Sequence, residues 1–493
     1  MSVKPFFSYA LAAVSCILVI IAAYAMWNTG RIQEFINIDT ANNSDKLISD
    51  NFDDNEFSIN VLVKKADAAL SAGELTSALE LYQQVLTLYS KLSPEEIGGI
   101  SNEIYDFENQ GGDILIMRKL FEIAVLIGDQ ERAESILGLL SFRGVSEQVI
   151  DALRGFMLIR NGEIDSAKSF FEKNSTFTEN AYGLLLVDIL NREHESVQNS
   201  LELLLASKDP FVLHAVKSVK GAYDEFDLFE EGKDVHLETL IARSLASVGQ
   251  CPVSEMLLSD VVSKESDYRD AWIILGYCRL ILQDDDGALF AFSNAYDLDP
   301  EKSEIQYFLG LTYEKLEDID EAERFLGYAL KNGFPKQKHL MEKLAVMSEN
   351  KGDFASAAIY YQSIIENEEE VEVNVYVNLI SLLVEHLDGL LEAKEILDDI
   401  RDEFGDIPEV LDMVGWVALE EGDVDNAAIF LNASVNQNPN LSSAWYHKAM
   451  LEERIGEFSK AISSYKKSYN LSIGVDNILA KKSADRHNSL IQR

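Results

Sequence analysis

Residues Arg269 to Lys302 read RDAWIILGYCRL, ILQDDDGALF, AFSNAYDLDPEK. Trp272, Leu275 and Gly276 mark one helix-length stretch; Ala288, Phe292 and Ala295 mark a second, and Pro300 follows. Steps of three and four residues place each set on one helix face. Gly276 and Ala288 are small where the two faces would meet, which permits close approach of the backbones. The run Asp284 to Gly287 predicts a polar turn between the helices. Pro300 closes the unit, because proline cannot continue a helix interior and restricts Asp299 before it.

The pattern recurs. From Ser303, 34 residues on, Leu309, Gly310, Tyr313, Ala322, Leu326 and Ala329 fill the equivalent positions. A unit near Lys338 has Leu344, Ala345, Ala357, Tyr361 and Ile364, and one near Asn374 has Ile380, Ser381, Ala393, Leu397 and Ile400. Units from Pro408 and Ser442 carry Gly415, Ala427, Leu431 and Ser434, then Ala449, Ala461, Tyr465 and Ser468. A weaker unit begins at Val235, and Ala66, Ala69, Ala78, Tyr82 and Val85 keep the spacing within residues 59–90. This skeleton resembles the tetratricopeptide repeat (TPR), a helix–turn–helix unit of about 34 residues. The resemblance implies an all-α, right-handed α-solenoid in which each unit packs on its neighbours.

The chain has 493 residues, 47% of them hydrophobic, and a formal net charge of −42. An array of repeats accommodates that length without several separate cores. A surface this acidic repels polyanions, so nucleic acid is excluded as a partner class. The acidity is read first as a solvated outer face; a groove for basic peptides is the sharper alternative. Three cysteines, Cys16, Cys251 and Cys278, form no CxxC, which leaves no zinc ribbon or thioredoxin-like centre. Cys251 is placed in a turn and Cys278 inside a first helix, read as unpaired small hydrophobes, with a disulfide the alternative if their Cα atoms come within about 7 Å.

Residues 6–27 are an uncharged apolar run, FFSYALAAVSCILVIIAAYAMW. Its length suits one transmembrane helix, and Tyr24 and Trp27 suit an interface. Residues 1–29 are therefore expected to be a signal anchor. The A-x-A form of Ala23-Tyr24-Ala25 leaves a cleaved signal peptide open, which would release a soluble secreted or periplasmic protein. A relaxed lipobox at Ala13 to Cys16 ranks last. Residues 30–58 read as a flexible acidic linker. Residues 59–234 read as degenerate TPR-like repeats, 235–475 as the well-formed array, and 476–493 as a C-terminal capping helix and tail. Within the degenerate part, Glu179 to Leu205 is helical without a clear frame. Phe211 to Asp234 is the most irregular stretch, an atypical helix pair or a bend.

Chemistry is sparse. Nucleotide-binding, zincin and serine-hydrolase signatures are absent, and no two of the seven histidines stand three or four residues apart. Arg192-Glu193-His194-Glu195 reads as a solvated turn. Asp284-Asp285-Asp286 and Glu368-Glu369-Glu370 read as solvated inter-helix turns that lack the spaced ligands of a calcium loop. No enzyme activity, cofactor, metal or small-molecule substrate is expected.

Recognition by surface remains. The TPR resemblance implies a concave groove lined by first-helix positions two, five, nine and twelve. Carried onto this chain, it nominates Tyr277, Tyr307, Asn378, Glu385, Trp416 and Tyr446 as a candidate peptide groove. The alternative is that the aromatics among them pack between helices. The lysine–asparagine–arginine clamp of chaperone-binding TPR domains is missing, since Ile273, Tyr307, Glu342 and Asp412 stand there. The whole resembles bacterial inner-membrane TPR scaffolds that assist envelope assembly. That implies a single-pass protein of the cytoplasmic membrane with its body outside the cytoplasm, binding protein or peptide partners. A cytoplasm-facing regulatory adaptor is the alternative.

Overall fold

A computed structural model describes residues 62–89 apart from 64, 68 and 71–74, then 112–229, 232–368, 370–472 and 477–492. The expected anchor and linker, residues 1–58, lie outside the described residues. Every described element is helical, and the fold is an all-α helical-repeat solenoid. Among the described residues, no helix is long and apolar enough to cross a membrane.

The chain divides into two compact units that meet in sequence at Pro300 and Glu301. The helices of the first are α1 (Leu75–Tyr89), α2 (Gly112–Leu126), α3 (Gln130–Phe142), α4 (Glu147–Arg160), α5 (Ile164–Glu172), α6 (Thr178–Leu190), α7 (His194–Leu204), α8 (Pro210–Phe226), α9 (Asp234–Ser247), α10 (Cys251–Lys264), α11 (Arg269–Ile281) and α12 (Asp285–Leu298). The second holds α13 (Ser303–Lys315), α14 (Ile319–Lys331), α15 (Gln337–Lys351), α16 (Phe354–Asn367), α17 (Val373–Glu385), α18 (Leu390–Phe404), α19 (Pro408–Glu420), α20 (Val424–Gln437), α21 (Ser442–Arg454), α22 (Phe458–Ser472) and α23 (Asn477–Ile491). From α13 to α22, consecutive helices pair as hairpins.

The repeat skeleton is the core. Leu275, Ala288, Phe292 and Ala295 are buried in the first unit, as are Leu309, Ala322, Leu326, Ala357, Ile380, Ala393, Ala427, Leu431, Ala449, Ala461 and Tyr465 in the second. Where the last small position is serine, its hydroxyl donates to the carbonyl that opens the same repeat: Ser434 to Pro408 at 2.8 Å and Ser468 to Ser442 at 2.9 Å. The glycines do what close approach requires. A Cβ on Gly415 would stand 2.6 Å from Leu431 Cγ and 3.0 Å from its backbone nitrogen. Gly415→Ala therefore forces α19 and α20 apart. We expect a loss of about 1–3 kcal/mol, read as a lower urea midpoint in full-length protein.

Several turns share one design. A residue with positive φ precedes an aspartate that caps the second helix. The pairs are Gln283 (φ 62°) with Asp284, Glu317 (φ 61°) with Asp318, Gly352 (φ 78°) with Asp353, and Gly422 (φ 86°) with Asp423. Each aspartate accepts a hydrogen bond from the backbone N–H three residues on, as Asp284 does from Gly287 at 3.0 Å. This corrects the expected turn at Asp284 to Gly287. Asp285 and Asp286 already belong to the first turn of α12, where the helix dipole favours carboxylates.

Other expectations change too. Cys251 opens α10 and is buried rather than lying in a turn. It and Cys278 are both free thiols, and burial beside Cys251 pushes the Cys278 thiol up. The irregular stretch from Phe211 is mostly one long helix, α8, packed on α9; Asp209 caps it and Pro210 occupies its first turn. The cluster at Arg192 is a turn with exposed Glu193 and Glu195, as expected, but Arg192 itself is an ion-pair centre. Arg192 Nε donates to Glu238 Oε1 at 2.6 Å, and Nη2 donates to Glu238 Oε2 at 3.1 Å and to Asp260. His194 Nδ1 lies 2.9 Å from the Tyr223 hydroxyl.

Candidate peptide-binding surface

Tyr277 belongs to the first unit. It is half-buried on α11, and burial, with Cys251 and Cys278 nearby, pushes its phenol well up. The other five nominated residues belong to the second unit and fall into two kinds.

Three aromatics are packed. Tyr307 stacks on Phe334 with ring centroids 4.2 Å apart. Trp416 stacks on His447 at 4.4 Å and 7°. Tyr446 meets Tyr465 edge-on at 5.5 Å and His447 at 5.8 Å. Positions five and nine of a first helix thus meet neighbouring helices. His447 in turn bonds through Nδ1 to buried Asp412 at 2.8 Å.

The two polar residues are exposed. Asn378 Nδ2 donates to the Tyr361 hydroxyl at 3.3 Å, and that hydroxyl donates to Glu349 Oε1 at 2.8 Å. Glu342 lies close enough to Tyr361 to raise its phenol further, after burial and Glu349. Burial holds the carboxyls of Glu342 and Glu349 above the usual carboxylate range. A cation brought beside them would favour their charged forms. Glu385 accepts from Lys482 Nζ at 2.6 Å and lies 3.6 Å from His386 Nε2.

Glu349 and Glu453 were missed in the sequence, yet position twelve was there to find them. Counting from Ser303, Lys338, Asn374, Pro408 and Ser442, that position holds Glu314, Glu349, Glu385, Leu419 and Glu453. Four of these five are glutamates. Each carboxylate is engaged: Glu314 by Lys343 at 2.7 Å, Glu349 by Tyr361, Glu385 by Lys482, and Glu453 by the Tyr465 hydroxyl at 3.1 Å. Tyr446 joins the row, within reach of Lys482, Arg486 and Glu385. Among the described residues, no three His, Cys, Asp or Glu side chains form a group that could hold a metal.

Two stretches match tetratricopeptide-repeat family models, residues 307–369 and 442–472. The chain carries tetratricopeptide repeats. Within the TPR array, these matches cover three hairpins and much of the carboxylate row. No curated protein sequence matches the chain. Among solved structures, MamA is 18% identical, with 33% of this chain and 96% of that chain covered and a TM-score of 0.28. A tetratricopeptide repeat protein from Parabacteroides merdae is 13% identical over 51% of this chain and all of that one, at 0.34. YrrB, described as a TPR protein with an unusual peptide-binding site, is 17% identical over 46% of this chain and 97% of that one, at 0.22. Superpositions this loose carry no argument about function.

Proposed function

We propose that this TPR chain is a scaffold that holds segments of partner proteins against the first helices of its second unit. The observation that carries the reading is the polar row on those helices, where exposed Asn378 adjoins Tyr361 beside Glu349 and Glu342, and exposed Glu385 holds Lys482. Exposed side chains flanked by half-buried, hydrogen-bonded ones give a partner both contact and orientation. In the same reading, residues 6–27 tether the scaffold to a cytoplasmic membrane, with the array outside the cytoplasm and serving envelope assembly. The apolar, uncharged composition of that run supports the tether. Alkaline phosphatase fused after Arg493 should be active in a bacterial host; an inactive but expressed fusion points to the cytoplasm-facing adaptor.

The binding reading is tested by photo-crosslinking in the full-length chain. Probes replace Asn378 and Glu385, and controls replace exposed Glu395 and Asp425 on second helices α18 and α20. A protein captured at the first-helix positions alone is the expected result. Equal capture at all four positions, or at none, removes this surface from consideration.

A further inference from the structure

The pair Lys482–Glu385 joins residues 97 apart in sequence. Other inter-repeat ion pairs of the second unit are far more local. Lys343–Glu314 spans 29 residues, Lys394–Glu421 spans 27, and Lys338–Glu372 spans 34. Those pairs stitch neighbouring repeats. Lys482 instead reaches from the last helix, α23, to the end of α17. Arg486, one turn further along α23, lies 4.0 Å from Glu453 and within hydrogen-bond reach of Tyr446. Other contacts anchor α23: Ala480 and Ser483 are buried, the Ser483 and Ser468 hydroxyls are 2.9 Å apart, and Leu490, one turn beyond Arg486, is buried too. Two cations spaced i, i+4 therefore lie on one face of a helix, and that face lies on the carboxylate row.

We propose that the row from Glu385 to Glu453 is a docking site for a partner helix bearing lysine or arginine at i and i+4, and that α23 occupies it in cis. This rests on the scaffold reading above and names the partner's chemistry. Charge complementarity carries it, since the chain's own cations already fill the row in a protein of formal net charge −42. The ion pairs that hold α23 there are weak enough to exchange. Lys482 and Arg486 are 40% and 53% exposed at their side chains, and exposed ion pairs contribute little. A partner helix therefore gains the row by moving α23 off it, and the two ion pairs are the part of that cost that a competing pair of cations offsets.

The test uses full-length protein and a fluorescent peptide of residues 477–493 as the probe, followed by anisotropy at low salt. Lys482→Ala/Arg486→Ala should bind the peptide about five- to tenfold more tightly than wild type, the gain allowed by releasing two exposed pairs. Adding Glu385→Gln/Glu453→Gln should abolish that gain. A circular dichroism melt of each variant establishes that the fold is retained, and Lys482→Ala alone serves if the double variant does not fold. Equal binding by wild type and the freed variant overturns cis occupancy. Binding that survives the glutamine substitutions is general attraction of a cationic peptide to an acidic protein, and it overturns the site. Crosslinking at Asn378 separates this inference from the scaffold reading. A captured partner segment without lysine or arginine leaves the scaffold standing and removes the cationic helix.

Discussion

Arg192→Ala is expected to lower the stability of the first unit by about 1.5–3 kcal/mol, the scale of charge-assisted hydrogen bonds, below the cost for a fully buried pair because the Arg192 side chain is 34% exposed. Arg192 lies in the turn between α6 and α7, with φ at 59°. Its guanidinium forks onto Glu238 at 2.6 and 3.1 Å and also reaches Asp260. Glu238 is the reason for the size of the effect. Its side chain is 5% exposed, so without Arg192 a buried carboxylate loses its bidentate partner. Asp260 keeps Lys264 at 2.6 Å and loses less. The hydrogen bond to Glu238 is also the first cause that holds the Arg192 guanidinium above its ordinary value. Arg192→Lys should recover only part of the loss, because an ammonium cannot make the bidentate contact. Arg192→Met with Glu238→Leu should recover most of it, since removing both charges avoids the unpaired group. Urea unfolding of the four proteins measures this directly. A loss under about 1 kcal/mol for Arg192→Ala would mean that water reaches Glu238.

That centre shows where the sequence stops being legible. The repeat skeleton could be read because packing constrains the same small and large positions in every unit, so Gly276, Ala288 and Phe292 announce their counterparts about 34 residues on. Arg192 has no such echo. Its partners are 46 and 68 residues away, and no periodicity marks a contact made once. The same reason covers α8, whose long run fits no repeat frame although Asp209 and Pro210 signal its start. The candidate surface divides likewise. Asn378 and Glu385 follow from repeat position, and Glu349 and Glu453 would have followed from the same count. The contact from Lys482 to Glu385 could not, because it depends on how far α23 lies from α17 in space. Aromatic character misled at positions five and nine, where Tyr307 and Trp416 meet a stacked ring instead of an open face.

Trp416 offers the sharper test of that distinction. Trp416→Ala is expected to cost about 3–5 kcal/mol, as for other large buried aromatics. The side chain is 3% exposed and lies flat against His447, so truncation opens a cavity and uncovers the Asp412–His447 hydrogen bond. Asn378→Ala, at an exposed position, should change stability by less than about 0.5 kcal/mol. A scaffold whose groove is the polar row therefore predicts opposite behaviour for two residues at neighbouring repeats: Trp416 alters folding, and Asn378 alters capture of the partner. Trp416→Phe refines the comparison. The indole N–H is buried with no hydrogen-bond acceptor, and such a group costs about 1–3 kcal/mol. Phenylalanine removes that group while keeping a ring against His447, so Trp416→Phe should cost far less than Trp416→Ala. Thermal melts and crosslinking yield, measured together, decide the role of the indole. If Trp416→Phe keeps the melting temperature and partner capture unchanged, the ring is packing alone. If it keeps the melting temperature and loses capture, the unpaired N–H is a contact that the partner completes, and the binding surface reaches inward from the carboxylate row to α19.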